Sequence, residues 1–154
     1  LNNKTLINPI FALGKMLENK NEKIRILGAD LWLAYESNLS TIQFDYNTFN
    51  EVLSNSGKKK KILPNTPFLE WHYIKNNFFL KPNQLLKHKK KLSNIKISII
   101  QSDYDLLCPP QTSFNFASGL SNCKVIRIAN AGHYISDPGV KEMMKQLLDE
   151  YEKN

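Results

Sequence analysis

Apolar residues recur every three or four positions in the first half of the chain, the spacing of an amphipathic helix. The clearest case is residues 22–39, whose apolar face comprises Ile24, Leu27, Leu31 and Tyr35. Shorter patterns predict helices over residues 45–54 and 66–76. A Ser-Gly-Lys-Lys-Lys-Lys segment at 56–61 has the composition of an exposed loop. The first half is therefore predicted to be helical throughout.

The second half changes pattern. Two uninterrupted apolar, β-branched runs, residues 95–101 and 123–129, are bounded by turn-forming residues, as buried parallel strands are. A basic helix is predicted before them at 83–92, and a terminal helix over 138–151. With a further helix between the strands, the order is helix, strand, helix, strand, helix, which predicts an α/β fold containing the edge of a parallel sheet.

Two strands alone would leave unpaired backbone groups and an uncovered apolar face. We therefore expect an N-terminal segment or another polypeptide to complete the sheet.

The net charge of +7 is concentrated in one region. Residues 57–96 carry 11 basic and 1 acidic side chains, mostly from Lys58–Lys61 and Lys87–Lys91. Such runs can bind phosphates, but no aromatic residues are interleaved with them, so we interpret them as solvated surface and expect no nucleic-acid partner.

Other function classes are disfavoured by composition. No apolar run reaches the roughly 18 residues of a membrane span, and residues 1–20 lack the order of a signal peptide. The two cysteines, Cys108 and Cys123, lack disulfide-type spacing and suggest a reducing, cytoplasmic setting. With three scattered histidines they form no recognisable ligand set for a structural zinc or di-metal site, so no metal or other cofactor is expected.

Chemistry-bearing residues follow both predicted strands. Asp103 and Asp105 come after the first, and His133 follows the second within an Ala-Gly-His turn, where Gly132 lets the backbone turn without a Cβ clash. Strand-end loops of a parallel sheet meet at one edge. An acid followed by a histidine at successive strand ends matches the last two members of a Ser…Asp…His triad.

Such a pair has a defined chemical role. A hydroxyl is a poor nucleophile until a histidine takes its proton, and a carboxylate holds that imidazole in the correct tautomer. We assign His133 as the general base and Asp105 as the orienting acid; Asp103, in the same loop, remains the rival acid. A turn-forming role for the aspartate and a structural role for the histidine are the ordinary alternatives.

At these loops the sequence resembles a known family. Residues 101–109, Q-S-D-Y-D-L-L-C-P, resemble the G-R-Y-D-x-x-C-P segment of prolyl aminopeptidases (proline iminopeptidases), with Asp105 at the triad aspartate. Residues 131–139 resemble the A-G-H-S…E-P-G segment around the triad histidine. The sequence departs from that pattern where Asp103 replaces arginine and Tyr134 replaces serine.

The helical half resembles the same family. Residues 29–36 resemble its A-x-x-W-x-x-W-E cap helix, and residues 70–79 resemble E-N-H-Y-F-x-N-x-G-F-F. The resemblance implies that Glu36 and Glu70 bind the free α-amino group of a peptide substrate. It implies a helical cap segment at 1–80 and the C-terminal edge of an α/β-hydrolase sheet at 81–154.

The nucleophile is absent from the sequence. No Gly-x-Ser-x-Gly occurs; Ala117–Ser121 comes nearest but lacks the first glycine. We therefore expect a cytoplasmic serine exopeptidase that releases N-terminal proline, whose serine lies in an N-terminal half outside this chain, and we expect the isolated chain to be inactive. The alternatives are another α/β-hydrolase, such as an esterase or epoxide hydrolase, and a non-catalytic truncated or basic binding module.

Overall fold

The computed structural model describes residues 8–43, 45–55 and 65–153. They form two compact units, one from the described parts of residues 1–36 and 45–80 and one from those of 37–44 and 81–154. The loop predicted at 56–61 lies outside the described residues. Within the described ranges, no helix has both the length and the apolar composition needed to cross a bilayer.

The first unit is helical. Its elements are α1 (Pro9–Leu17), α2 (Glu22–Ser40), whose last turn belongs to the second unit, α3 (Tyr46–Asn55) and α4 (Thr66–Lys75). The three helices predicted here are confirmed. Helix α1 was not predicted; it begins where the Asn8 side chain accepts a hydrogen bond from the Ile10 N–H and Pro9 supplies a preset φ.

Two tryptophans form the centre of the first unit's core. Trp32 on α2 and Trp71 on α4 are buried together with Leu17 and Ala29. Helix α1 lies against this core at Gly14, where an added Cβ would be 2.4 Å from the Trp71 ring. Near the surface, the Lys75 ammonium lies 2.5 Å from the Glu18 carboxylate and lowers the pKa of Glu18.

After α4 the chain adopts an unusual local conformation. Residues Asn77, Phe78 and Phe79 all have positive φ, between 50° and 56°, within a 3₁₀ turn. Left-handed backbone is disfavoured for aromatic residues because the Cβ approaches the following carbonyl. Both phenylalanine side chains are nevertheless more than half exposed.

The second unit contains a parallel β-α-β arrangement. Strands β1 (Ile97–Ser102) and β2 (Cys123–Ile128) pair in parallel from Ile97 opposite Cys123 to Ser102 opposite Ile128, with α6 (Pro110–Ala117) between them. Both strand predictions and the α/β class are confirmed. Among the described residues the sheet has these two strands.

The terminal helix α7 (Val140–Glu152) covers the sheet. Val140 is buried with Ile128 and Ala131, and Ile100, Ile126 and Met143 pack around them. The helix starts at Gly139, whose φ is +82° and whose N–H donates to the Glu142 carboxylate at 2.9 Å. The core of this unit therefore lies directly beside the end of β2.

The basic helix predicted at 83–92 is only partly correct. It consists of a short α5 (Gln84–His88) followed by a 3₁₀ turn at Lys89–Leu92. The Lys89 ammonium donates to the carbonyls of Asn115 and Ser118, at 2.8 and 2.5 Å. These carbonyls lie at the end of α6, so one lysine of the run satisfies helix-end acceptors rather than serving only as solvated charge.

Candidate active site

The loops after the two strands are hydrogen-bonded to each other. The Asp103 N–H donates to the Ile128 carbonyl at 3.0 Å, and the Tyr104 N–H donates to the Ala131 carbonyl at 3.1 Å. These bonds join the two loops directly beyond the ends of the strands. The side chains of Asp105 and His133, which follow immediately, are thereby brought to the same sheet edge.

Asp105 and His133 are in direct contact. The Asp105 Oδ2 lies 2.9 Å from the His133 Nδ1. The other carboxylate oxygen, Oδ1, accepts from the N–H groups of Leu107 and Cys108 at 3.0 and 2.8 Å. Asp105 is therefore held as an acceptor on both oxygens, and a neutral His133 with its proton on Nδ1 presents a lone pair on Nε2.

The two side chains differ in access to solvent. The Asp105 side chain is 10% exposed, whereas the His133 side chain is 40% exposed. A buried acceptor paired with an accessible imidazole can orient the ring while leaving it open to a reacting group. This arrangement can perform general base and general acid chemistry.

The backbone around His133 is fixed from two sides. The His133 N–H donates to the Ser40 carbonyl at 2.9 Å, and the Gly132 N–H donates to the Asp137 carboxylate at 2.6 Å. A Cβ on Gly132 would lie 2.6 Å from the Ser40 carbonyl oxygen. Glycine is therefore required at this position by the close approach of another backbone segment.

The rival acid has a different partner. Arg127 contacts Asp103 Oδ1 through both Nε and Nη2, each at 2.9 Å. Of the two aspartates in this loop, the structure brings Asp105 to His133 and joins Asp103 to Arg127 on β2.

Three supporting residues were missed by the sequence analysis. Buried Gln101 donates to the carbonyls of Ser102 and Cys108, at 3.0 and 3.1 Å, and accepts from Ser113 on α6 at 2.5 Å. It therefore ties the Asp105 loop to strand and helix. The signal for Gln101 was a polar residue at the end of an apolar strand. Asp137 stood at the acidic position of the E-P-G-like segment, whereas the sequence offers no comparable signal for Ser40.

The Cys108 thiol lies beside the Asp105–His133 pair. One ligand atom each from Asp105, Cys108 and His133 lie within 4.8 Å of one another. Cys108 as a whole is exposed, but partial desolvation of its sulfur, and then the charge of Asp105, raise the pKa of the thiol. These three positions have no recognisable metal-ligand spacing in the sequence, and the fold brings them together.

The two predicted amine-binding glutamates lie in the first unit. Glu70 on α4 is half-buried and accepts a hydrogen bond from the buried Trp32 indole N–H at 2.6 Å. Glu36, near the end of α2, is also half-buried. Trp32, considered above only as part of a resemblance, thus has a structural role in holding the Glu70 carboxylate.

Several curated proteins similar to this chain are named proline iminopeptidases. A putative proline iminopeptidase of Mycoplasma pneumoniae is 25% identical over 134 residues, covering 87% of this chain and 41% of that protein. A probable proline iminopeptidase of Leptolyngbya boryana is 24% identical, covering 92% and 43%. A proline iminopeptidase of Arabidopsis thaliana is 30% identical over 145 residues, covering 89% and 37%.

The chain is a relative of the proline iminopeptidases. The resemblance inferred from its four segments is thereby confirmed. The chain spans about two-fifths of the length of these proline iminopeptidases. No protein-family model matches it.

Proposed function

We propose that this chain is the C-terminal part of a prolyl aminopeptidase, a serine exopeptidase of the α/β-hydrolase fold that releases N-terminal proline from peptides. The observation that carries the proposal is the 2.9 Å contact between Asp105 Oδ2 and His133 Nδ1 at the end of adjacent parallel strands. The shared name of the relatives supports the substrate class. In this proposal, residues 81–154 belong to the hydrolase sheet and 1–80 to a cap.

His133 would act twice in the reaction. Its Nε2 takes the proton of a serine hydroxyl as the oxygen attacks the carbonyl of the N-terminal proline, and returns it to the departing amine. It then activates the water that hydrolyses the acyl-enzyme. Asp105 keeps the Nδ1 proton in place and stabilises the imidazolium formed in each half-reaction. The serine and oxyanion donors would come from the N-terminal half of the protein, and the reaction needs no cofactor.

Glu36 and Glu70 would select the peptide terminus. An N-terminal ammonium donates charge-assisted hydrogen bonds to carboxylates, and a blocked terminus cannot do so. For Glu70, the proposal is supported by its half-buried position and by the Trp32 indole, which restrains one carboxylate oxygen.

The two aspartates of one loop allow a matched test on the protein made from the full coding sequence. With an N-terminal-proline arylamide as substrate, Asp105→Asn and His133→Ala should lower kcat by factors on the order of 10⁴. Asp103→Asn removes an equal charge from the same loop but should change kcat only a few-fold. Full activity in Asp105→Asn, or a larger loss in Asp103→Asn, would contradict the assignment.

Amine recognition needs a separate comparison. Glu70→Gln should lower kcat/KM for the free-amine arylamide by roughly tenfold to a hundredfold, because an ionic hydrogen bond is lost. Hydrolysis of an N-acetylated ester substrate should stay unchanged. Equal losses of kcat/KM on both substrates would point instead to a hydrolase that does not recognise the free amino terminus.

A further inference from the structure

The turn that holds Asp105 also positions Cys108. The Cys108 N–H donates to Asp105 Oδ1 at 2.8 Å, and its carbonyl accepts from buried Gln101 at 3.1 Å. Both bonds use the backbone of Cys108, so they fix its main chain beside Asp105 and leave its side chain free to turn. Cys108 is exposed, and its sulfur lies within 4.8 Å of a ligand atom on Asp105 and one on His133.

The three groups form a mixed donor set. A thiolate sulfur, an imidazole nitrogen and a carboxylate oxygen are the ligands that Zn²⁺ accepts in proteins. With metal–ligand bonds of about 2.0–2.3 Å, tetrahedral geometry requires ligand atoms roughly 3.3–3.8 Å apart. The ligand atoms lie within 4.8 Å of one another, and Oδ2 and Nδ1 are 2.9 Å apart, so they reach that spacing by shifts of about 1 Å or less. An exposed cysteine and a 40% exposed imidazole can make such shifts.

The surroundings favour an ordered site over a chance collection of side chains. Asp105 is buried, and its Oδ1 is already bound by two backbone N–H groups, so Oδ2 has a defined direction. The backbone of His133 is fixed by Ser40. Hydrogen bonds that orient ligands in this way raise metal affinity.

We propose that Asp105, Cys108 and His133 form a three-ligand Zn²⁺ site with a fourth position open to water. Binding forms Zn–S, Zn–N and Zn–O bonds and releases the Cys108 thiol proton to solvent. The neutral imidazole binds through the ring nitrogen that carries no proton, so its one ring proton lies on the other nitrogen. No oxidation or reduction is involved. Insofar as the proposed function is correct, the bound ion would occupy the acid–base pair and inhibit the peptidase reversibly.

Metal binding can be tested on the tag-free protein made from the full coding sequence, under reducing conditions and without any activity measurement. Co²⁺, a spectroscopic substitute for Zn²⁺, should bind at one equivalent and give a thiolate-to-cobalt charge-transfer band and tetrahedral visible bands. Competition with Zn²⁺ should abolish these bands and give the zinc affinity.

The chain provides matched controls for two ligands. Cys108→Ser should abolish the charge-transfer band and weaken zinc binding at least about tenfold, and His133→Ala should weaken it to a similar extent. Cys123→Ser and His88→Ala remove the same chemical groups elsewhere and should leave the affinity within about twofold. Circular dichroism should show each variant folded, and Cys108→Ala provides a second removal of the thiol.

The outcomes are decisive in either direction. Loss of the charge-transfer band in both Cys108 variants, but not in Cys123→Ser, supports the site. A band retained without Cys108, or binding insensitive to both Cys108 and His133, overturns it. Because the readout is binding, a failure here leaves the proposed peptidase function unaffected, and a failure of that function leaves the metal site unaffected.

Discussion

The Asp137 carboxylate accepts a hydrogen bond from the backbone N–H of Gly132 at 2.6 Å, one residue before His133. The next N–H, that of His133, donates to the Ser40 carbonyl at 2.9 Å. Successive amides of the loop are thus bound by two different parts of the second unit. The position of the His133 imidazole therefore depends on residues that have no part in its chemistry.

Removal of the Asp137 acceptor should loosen this loop. Asp137→Ala leaves a buried N–H without its ionic partner, and we expect the free energy of unfolding to fall by about 1–3 kcal/mol. Asp137→Asn keeps an oxygen acceptor and should lose less than half as much. Urea unfolding of the protein made from the full coding sequence gives both values; equal losses in the two variants would show that the hydrogen bond itself is unimportant.

The Trp32–Glu70 hydrogen bond gives a second prediction. Trp32→Phe keeps an aromatic ring in the core but removes the indole N–H that donates to Glu70 Oε2, which should cost about 1–2 kcal/mol. Combined with Glu70→Ala, the losses should be less than additive, with a coupling near 1 kcal/mol. Full additivity in a double-mutant cycle measured by denaturant unfolding would contradict a direct interaction.

The sequence was most informative where one local pattern implies one structure. The period of residues 22–39 and the uninterrupted β-branched runs predicted α2, β1 and β2. The Asp105–His133 contact could be anticipated because parallel strand ends share an edge. The choice between Asp103 and Asp105 could not be made that way, since it depends on Arg127 facing Asp103 from the neighbouring strand.

Other features depend on contacts distant in sequence. Helix α1 has an almost wholly apolar sequence, so its periodicity carries little information. Asn8 followed by Pro9 is nevertheless a recognisable N-terminal helix cap. The left-handed backbone at Phe78 and Phe79 opposes their intrinsic preference. Cys108 lies near His133 only because both loops adopt their folded conformations, and no pattern in the sequence predicts that contact.

The contact between Gly14 and Trp71 reverses an ordinary rule. Alanine in place of a helix-interior glycine usually stabilises by about 1 kcal/mol, but here the new Cβ would lie 2.4 Å from the Trp71 ring. We expect Gly14→Ala to destabilise the chain by about 1–3 kcal/mol. In Gly14→Ala/Trp71→Leu the methyl group gains space, so the double variant should be more stable than the sum of single losses predicts. A stabilised Gly14→Ala variant in thermal unfolding would rule out this packing.

The Cys108 thiol should be alkylated slowly at neutral pH. Partial desolvation of its sulfur, and next the Asp105 charge, raise its pKa, so the reactive thiolate forms only at higher pH than in an ordinary cysteine. In a Cys123→Ser background, which leaves one thiol, the pH midpoint of iodoacetamide alkylation should lie above that of a model thiol.

Neutralising Asp105 should move that midpoint in a known direction. Asp105→Asn removes the repulsion of the thiolate, so the Cys108 pKa should fall and alkylation at a fixed pH below the midpoint should accelerate, while burial still keeps the pKa above its ordinary value. Asp103→Asn serves as the matched control, because that carboxylate is paired with Arg127 and should leave the midpoint in place. An equal shift in both variants would mean that the loop's overall charge, rather than the adjacent Asp105 carboxylate, governs the thiol.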